Sequence, residues 1–263
     1  MFPALAIGLV AGVLSGMFGV GGGFLIVPAL VAFVHLDQRV ASGTSLVAVI
    51  PISVAALVGY AGEGQVNRFV AMLLVAGGLV GAEVGTRLLN RLPIRTLQLA
   101  FAGVLVVAAM RLILGGSPGS GATTLGPARD AGLVALGLGT GMLSGLLGVG
   151  GGFVMVPGML VIASMPSALA RGTSLAAIVP TALFATVRNL RNANADLRVG
   201  LTVGVAGALS ASLTSRVAVG LDPVLSNRLL GVLLVVLAGR MVLDARRKGA
   251  GRGAAVRTTA ERT

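Results

Sequence analysis

Gly12-Val-Leu-Ser-Gly-Met-Phe-Gly-Val-Gly-Gly-Gly-Phe-Leu-Ile-Val-Pro-Ala-Leu30 returns later in the chain as Gly141-Met-Leu-Ser-Gly-Leu-Leu-Gly-Val-Gly-Gly-Gly-Phe-Val-Met-Val-Pro-Gly-Met159. The copies lie 129 positions apart without a gap, from Ser15 and Ser144 through Pro28 and Pro157, and 12 of 19 aligned residues are identical. The first copy sits in an apolar run, residues 4–34, that is 31 residues long. About 20 residues suffice for one helical crossing of a bilayer. Three consecutive glycines, with Gly19 just before them, lose more backbone entropy in a helix than other residues would. Pro28 pushes Val27 away from the α region and suits the first turn of a new helix. The pattern predicts a helix to about Phe18, an unwound link through Val27, then a short helix. A continuous but flexible helix is the competing reading.

Composition sets the class of protein. Of 263 residues, 56% are hydrophobic and 11% charged, with a mean hydropathy of +0.99. A soluble domain carries roughly a quarter charged residues. Apolar segments near the spanning length recur, and the alternation of a β-barrel strand is missing, so the chain reads as a helical membrane protein. A net charge of +12 would suggest nucleic acid in a soluble protein. Here the basic residues lie mostly between apolar runs and in the tail, where lipid headgroups account for them better than nucleic acid does. No cysteine and a single histidine, His35, leave no thiol chemistry, no cysteine-ligated metal and no histidine cluster. No cofactor and no metal are expected. The start of the chain lacks a basic n-region, and its apolar run belongs to the repeat, so it does not read as a cleaved signal peptide.

The expected fold is all-α: a polytopic membrane protein of about eight transmembrane helices in two homologous repeats with Gly-rich helix breaks. Residues 1–114 form the first repeat, with runs at 4–34, 40–60, 69–89 and 94–114. A flexible Gly/Ser linker covers 115–130. The second repeat, 131–245, has runs at 131–162, 169–189, 197–219 and 224–243, and residues 246–263 form a basic tail read as disordered. Its charge argues for a cytoplasmic C-terminus in a multi-pass protein of the cell membrane. Parallel and inverted arrangements of the repeats both remain open, because Arg240 and the tail supply the same seven positive charges either way.

In membranes, broken helices put unwound backbone and half-helix ends where a ligand can meet them. A helix N-terminus offers unpaired N–H groups and a positive dipole end, which suits an anion. Gly21, Gly22 and Gly23, with Gly150, Gly151 and Gly152, allow close approach to the backbone. Ser15, Ser144 and the paired segments Gly43-Thr44-Ser45 and Gly172-Thr173-Ser174 add hydroxyls; Thr44 and Ser45 can also cap backbone groups freed near a helix start. Arg171, where the first repeat has Ser42, supplies a fixed positive charge or snorkels to a headgroup. Small residues often serve packing alone, the reading favoured for Gly8/Gly12/Gly16 and Gly137/Gly141/Gly145. Glu83 lies well inside a span, where a carboxylate suggests proton coupling or gating; Arg87 at i+4 equally makes a helix ion pair. A dinucleotide reading of Gly19-Val-Gly-Gly-Gly-Phe24 fails, because Phe24 stands at the third glycine and no strand precedes it.

The duplicated Leu-Ser-Gly-x-x-Gly-Val-Gly-Gly-Gly-Phe-x-x-Val-Pro element, each copy followed by Gly-Thr-Ser-Leu at 43–46 and 172–175, resembles the sulfite exporter TauE/SafE family of membrane permeases. The resemblance covers about residues 4–244. It implies a secondary transporter of about eight helices for small anions, commonly sulfur-containing ones such as sulfite and sulfonates. The implied site joins 19–23 and 42–45 of one repeat with 148–152 and 171–174 of the other. Its partners would be a small anionic substrate and the lipid bilayer, with no nucleic acid. A membrane scaffold and a cation transporter are the rivals; an enzyme is not expected, since no paired acid, base or nucleophile occurs in the spans.

Overall fold

The computed structural model describes residues 2–88, 126–147, 150–220 and 228–236, and isolated helical positions within 103–110 and at 224, 225, 238 and 239. The run expected at 94–114 lies largely, and the tail at 246–263 wholly, outside the described residues; the run expected at 224–243 is helical at each of its described positions, with Leu230, Leu234 and Ala238 buried. Among the described residues every regular element is helical: α1 (Phe2–Phe18), α2 (Gly23–Ala29), a π-helix (Leu30–Val34), α3 (Gln38–Gly62), α4 (Arg68–Leu88), α5 (Pro127–Leu147), α6 (Gly152–Ile162), α7 (Ser167–Arg191) and α8 (Leu197–Gly220). Three of them, α3, α7 and α8, are long and apolar enough to cross a membrane. The repeat is visible in the bounds. The starts of α2, α3 and α4 at 23, 38 and 68 recur at 152, 167 and 197, at the same 129-residue spacing.

The expected break is present in both copies. Gly19, Gly21 and Gly22 have φ of 68°, 76° and 73°, and Gly150 and Gly151 have 78° and 67°. These left-handed values cost an L-residue with a Cβ roughly 1–2 kcal/mol each, so glycine is the residue that holds the turn. The break is shorter than expected, however. Both half-helices begin on the third glycine, Gly23 and Gly152, so Pro28 and Pro157 lie inside a helix instead of in its first turn. Proline cannot donate to the helical ladder, and in the first copy a π-turn follows at once, with Pro28 two residues before Leu30. The chain also doubles back. A Cβ on Gly22 would lie 2.9 Å from the Ala11 carbonyl oxygen, and one on Gly151 would lie 3.0 Å from that of Thr140. Each half-helix therefore starts beside the middle of the helix before it, making a hairpin of the overlong run.

The second repeat's first helix begins at Pro127, inside the segment read as linker. Proline at a first helical position loses no needed donor, and Asp130 sits in the first turn, where a carboxylate faces the positive dipole end.

The repeats do not pack as separate halves. α1 packs chiefly on α8, α4 on α5, α3 on α8 and α7, and α7 on α4. Each repeat lends the helix of its third apolar run, α4 or α8, to the other, giving one bundle of α1–α3 with α8 and another of α4–α7, joined where α3 meets α7. Small residues permit the exchange. Cβ atoms on Gly8 and Gly12 would overlap the carbonyl oxygens of Val203 and Gly207, and Gly137 and Gly141 meet Leu74 and Gly78 in the same way. With no water to expel between lipid-embedded helices, close backbone approach is a main source of such packing. The packing role expected for these glycines is observed. Glu83 pairs with Arg188, joining α4 to α7, each side chain about one-third exposed. Glu83 thus has a partner in the other repeat, whereas the Arg87 side chain lies outside the described residues.

Candidate functional site

The two breaks meet. A Cβ on Gly152 would lie 2.7 Å from the Val20 carbonyl oxygen and would overlap Ile178 Cδ1. One on Gly21 would reach Ile178 Cδ1 at 3.3 Å, Val49 Cγ1 at 3.4 Å and Ser53 Oγ at 3.4 Å; one on Gly150 would reach Val49 Cγ1 at 3.5 Å. Val49 and Ile178 are repeat equivalents on α3 and α7, both fully buried, and the breaks close around them. No side chain caps α2 or α6. The Leu25 and Ile26 N–H groups share the Gly22 carbonyl, as Val154 and Met155 share that of Gly151. The uncapped end of each half-helix is turned into the protein beside left-handed glycines.

Arg171 stands at the first break. It is 1% exposed, and a Cβ on Gly19 would lie 2.6 Å from its Cα. It does not snorkel. Its Nη1 donates to the Met17 carbonyl at 3.2 Å, while the Tyr60 hydroxyl donates to Gly16 at 2.9 Å and Met17 at 3.3 Å. These are last-turn carbonyls of α1, which has no later helical N–H to take them, and a cation is favourable at that negative dipole end. The positions related to these two by the repeat carry neither group: Ser42 is the equivalent of Arg171, and Asn189 of Tyr60.

The Gly-Thr-Ser segments make contacts between helices and loops. Thr44 Oγ1 accepts from the Asp196 N–H at 2.9 Å, and Thr173 Oγ1 from the Asn67 N–H at 3.0 Å. Asp196 and Asn67 directly precede α8 and α4, and their own carboxylate and amide oxygens accept from Val199 and Val70. Each threonine thus supports the N-terminus of a helix in its own bundle, not its own helix start. A Cβ on Gly43 or Gly172 would overlap the carbonyl oxygen of Asn194 or Gln65, so these glycines admit the α7–α8 and α3–α4 loops. Ser45 Oγ donates to Ser42 at 2.7 Å. Ser15, Ser144 and Ser174 are buried, and the Ser15 and Ser174 hydroxyls have no hydrogen-bond partner. Thr44→Val and Thr173→Val should each destabilise the protein by about 1 kcal/mol, since each removes a hydrogen bond from a part-buried N–H. Thermal unfolding in detergent reads this out.

Two further residues belong to the site. Tyr60 is the chain's single tyrosine. Ser53 lies two residues after Pro51 on α3, fully buried, with an unpartnered hydroxyl. Neither lies in a duplicated motif; the departure from repeat symmetry, Asn189 and Ala182 at the equivalent positions, is the sequence signal that marks them. Among the described residues no cluster of metal-ligating side chains occurs.

Comparison with known proteins adds a family. The profile described as "Sulfite exporter TauE/SafE" matches residues 1–112 and 133–262. Over 87 residues the chain is 40% identical to a probable membrane transporter protein of Xylella fastidiosa, a stretch that covers 33% of each chain. Over 110 residues it is 33% identical to the probable membrane transporter protein YdhB of Bacillus subtilis, covering 42% of this chain and 45% of that one. Over 112 residues it is 32% identical to YunE of the same organism, covering 43% and 41%. The matched stretches thus span less than half of these relatives' own lengths. No solved structure matches.

Proposed function

The chain belongs to the sulfite exporter TauE/SafE family of membrane proteins, and from that premise we propose that it is a secondary transporter of small, sulfur-containing oxyanions such as sulfite or sulfonates. The observation that carries the reading is the junction of two uncapped, glycine-lined breaks beside the buried Arg171. An oxyanion there would meet helix N–H groups, a positive dipole end and a fixed guanidinium, all without reorganisation. Backbone and cation select for charge and size, which suits a carrier better than a catalyst. The relatives' names, probable membrane transporter proteins, point the same way.

Alternating access would rock two bundles against each other at the α3–α7 contact. The moving bodies are then α1–α3 with α8 and α4–α7, not the two sequence repeats. The junction between the breaks lies on that boundary. Glu83 is the group through which a proton gradient would act, since protonation removes the charge that holds Arg188. The protein would lie in the cell membrane with its basic C-terminus in the cytoplasm.

Reconstitution into liposomes tests this. Sulfite, methanesulfonate and sulfate flux is expected to saturate with concentration and to respond to an imposed pH gradient, the response being lost in Glu83→Gln. A panel without saturable flux overturns the anion reading and favours a scaffold. Divalent-cation stabilisation of the purified protein would favour a cation carrier.

A further inference from the structure

The proposed site has two repeat-related halves, and their chemistry differs. Around Gly21 the nearest atoms are Ile178 Cδ1, Ser53 Oγ and Val49 Cγ1; around Gly150 they are two carbons of Val49. Of all Ser53 atoms it is Oγ that comes closest to Gly21, so the hydroxyl points at the first break. The equivalent residue on α7, Ala182, is 1% exposed and carries no polar atom.

Serine and threonine inside a helix usually bond back to a carbonyl three or four residues earlier. Thr181 does so to Ala177 and Ile178, Thr202 to Arg198 and Thr214 to Ser210. Ser53 does not, and neither do Ser15, Ser174 and Thr186; what sets Ser53 apart among these buried, unpartnered hydroxyls is that its Oγ lies against Gly21 of the first break. A buried hydroxyl without a partner costs stability, and this one lies where α3 packs against the first break. Arg171 packs its backbone and Cβ on Gly19 of the same break, and its guanidinium reaches the Met17 carbonyl just before it.

Resting on the anion reading above, we propose that Ser53 is a direct ligand-binding residue, its hydroxyl donating to a single oxyanion held at the first Gly-rich break between Ser53 and Arg171. The second break, with Ala182 and Ser42 at the equivalent positions, carries the hairpin but no second ligand. The occupant is an oxyanion small enough to sit against glycine backbone and able to accept from a hydroxyl and a guanidinium together.

Calorimetric titration of the full chain in nanodiscs with sulfite, methanesulfonate and sulfate tests this. One anion should bind per chain. Ser53→Ala should weaken binding at least about tenfold, the size expected for one lost hydrogen bond to a charged ligand. Its melting temperature in ligand-free buffer should stay level or rise, because an unpartnered hydroxyl has been removed; a purely structural serine would lower it. Ala182→Ser should leave affinity unchanged. Unaltered affinity in Ser53→Ala, or two anions per chain, overturns the proposal while leaving the transport reading intact. A wild-type chain that binds none of the three anions overturns both.

Discussion

Arg171→Ser, which installs the residue its repeat equivalent Ser42 already carries, is expected to reduce sulfite flux by about 10- to 100-fold. A hydrogen bond to a charged group contributes roughly 1.5–3 kcal/mol, and tenfold corresponds to about 1.4 kcal/mol. Arg171 is 1% exposed and packed on Gly19, so its charge acts within the protein, where bulk solvent screens it little. Arg171→Lys should restore part of the flux, since the charge returns without the planar fork that can hold Met17 and an oxyanion together. Serine also leaves the Met17 carbonyl without this donor, although Tyr60 still reaches it at 3.3 Å. A modest loss of melting temperature therefore accompanies the loss of flux. Size-exclusion behaviour and melting curves separate the two effects, and full flux from folded Arg171→Ser removes the guanidinium from the mechanism.

The second large effect is on stability. Gly172→Ala and Gly43→Ala each place a methyl group on a backbone carbonyl, that of Gln65 in one case and Asn194 in the other. Neither neighbour is the end of a flexible side chain, so the loop itself must move. Overpacking of this kind costs about 1–3 kcal/mol, and more is expected here because moving the loop strains the adjacent bond from Asn67 N–H to Thr173 or from Asp196 N–H to Thr44. At 2–4 °C per kcal/mol for a chain of this size, each variant should melt roughly 5–10 °C lower. Reading the second motif as ligand-binding predicts the reverse pattern, normal melting with weakened anion binding. Equal melting of wild type and both variants would return these glycines to the ligand.

The repeats show which features were legible in residues alone. Apolar length and low charge identify a membrane protein because bilayer thickness and the transfer cost of charge act on each segment independently. The glycine triplets announce a break because backbone freedom is a local property, and both breaks appear where the triplets stand. Their extent differs from the local expectation at Pro28. Proline suits a helix start, but a helix can begin earlier, directly after a left-handed glycine cap, and carry the proline inside. Helix-packing glycines at 8, 12, 137 and 141 were also legible, since their spacing puts them on one face.

Polar side chains were legible as candidates but not as assignments. Thr44 finds Asp196 at a separation of 152 residues, Arg171 finds Met17 at 154, and Glu83 finds Arg188 at 105. Hydrogen bonds act over about 3 Å in space and are indifferent to distance along the chain, so spacing could not tell a threonine that supports a loop from one that faces a ligand. Ser53 lies outside every motif and became visible through burial and the absence of a partner. The sequence by itself determined the membrane class, the duplication and the two breaks, because apolar length and glycine conformation are written locally. Only the tertiary structure decided that the repeats exchange α4 and α8, that the breaks meet, and that the buried charge and the unpartnered hydroxyl gather at the first of them. Those outcomes depend on which backbones can approach one another, and that is settled when all the helices pack at once.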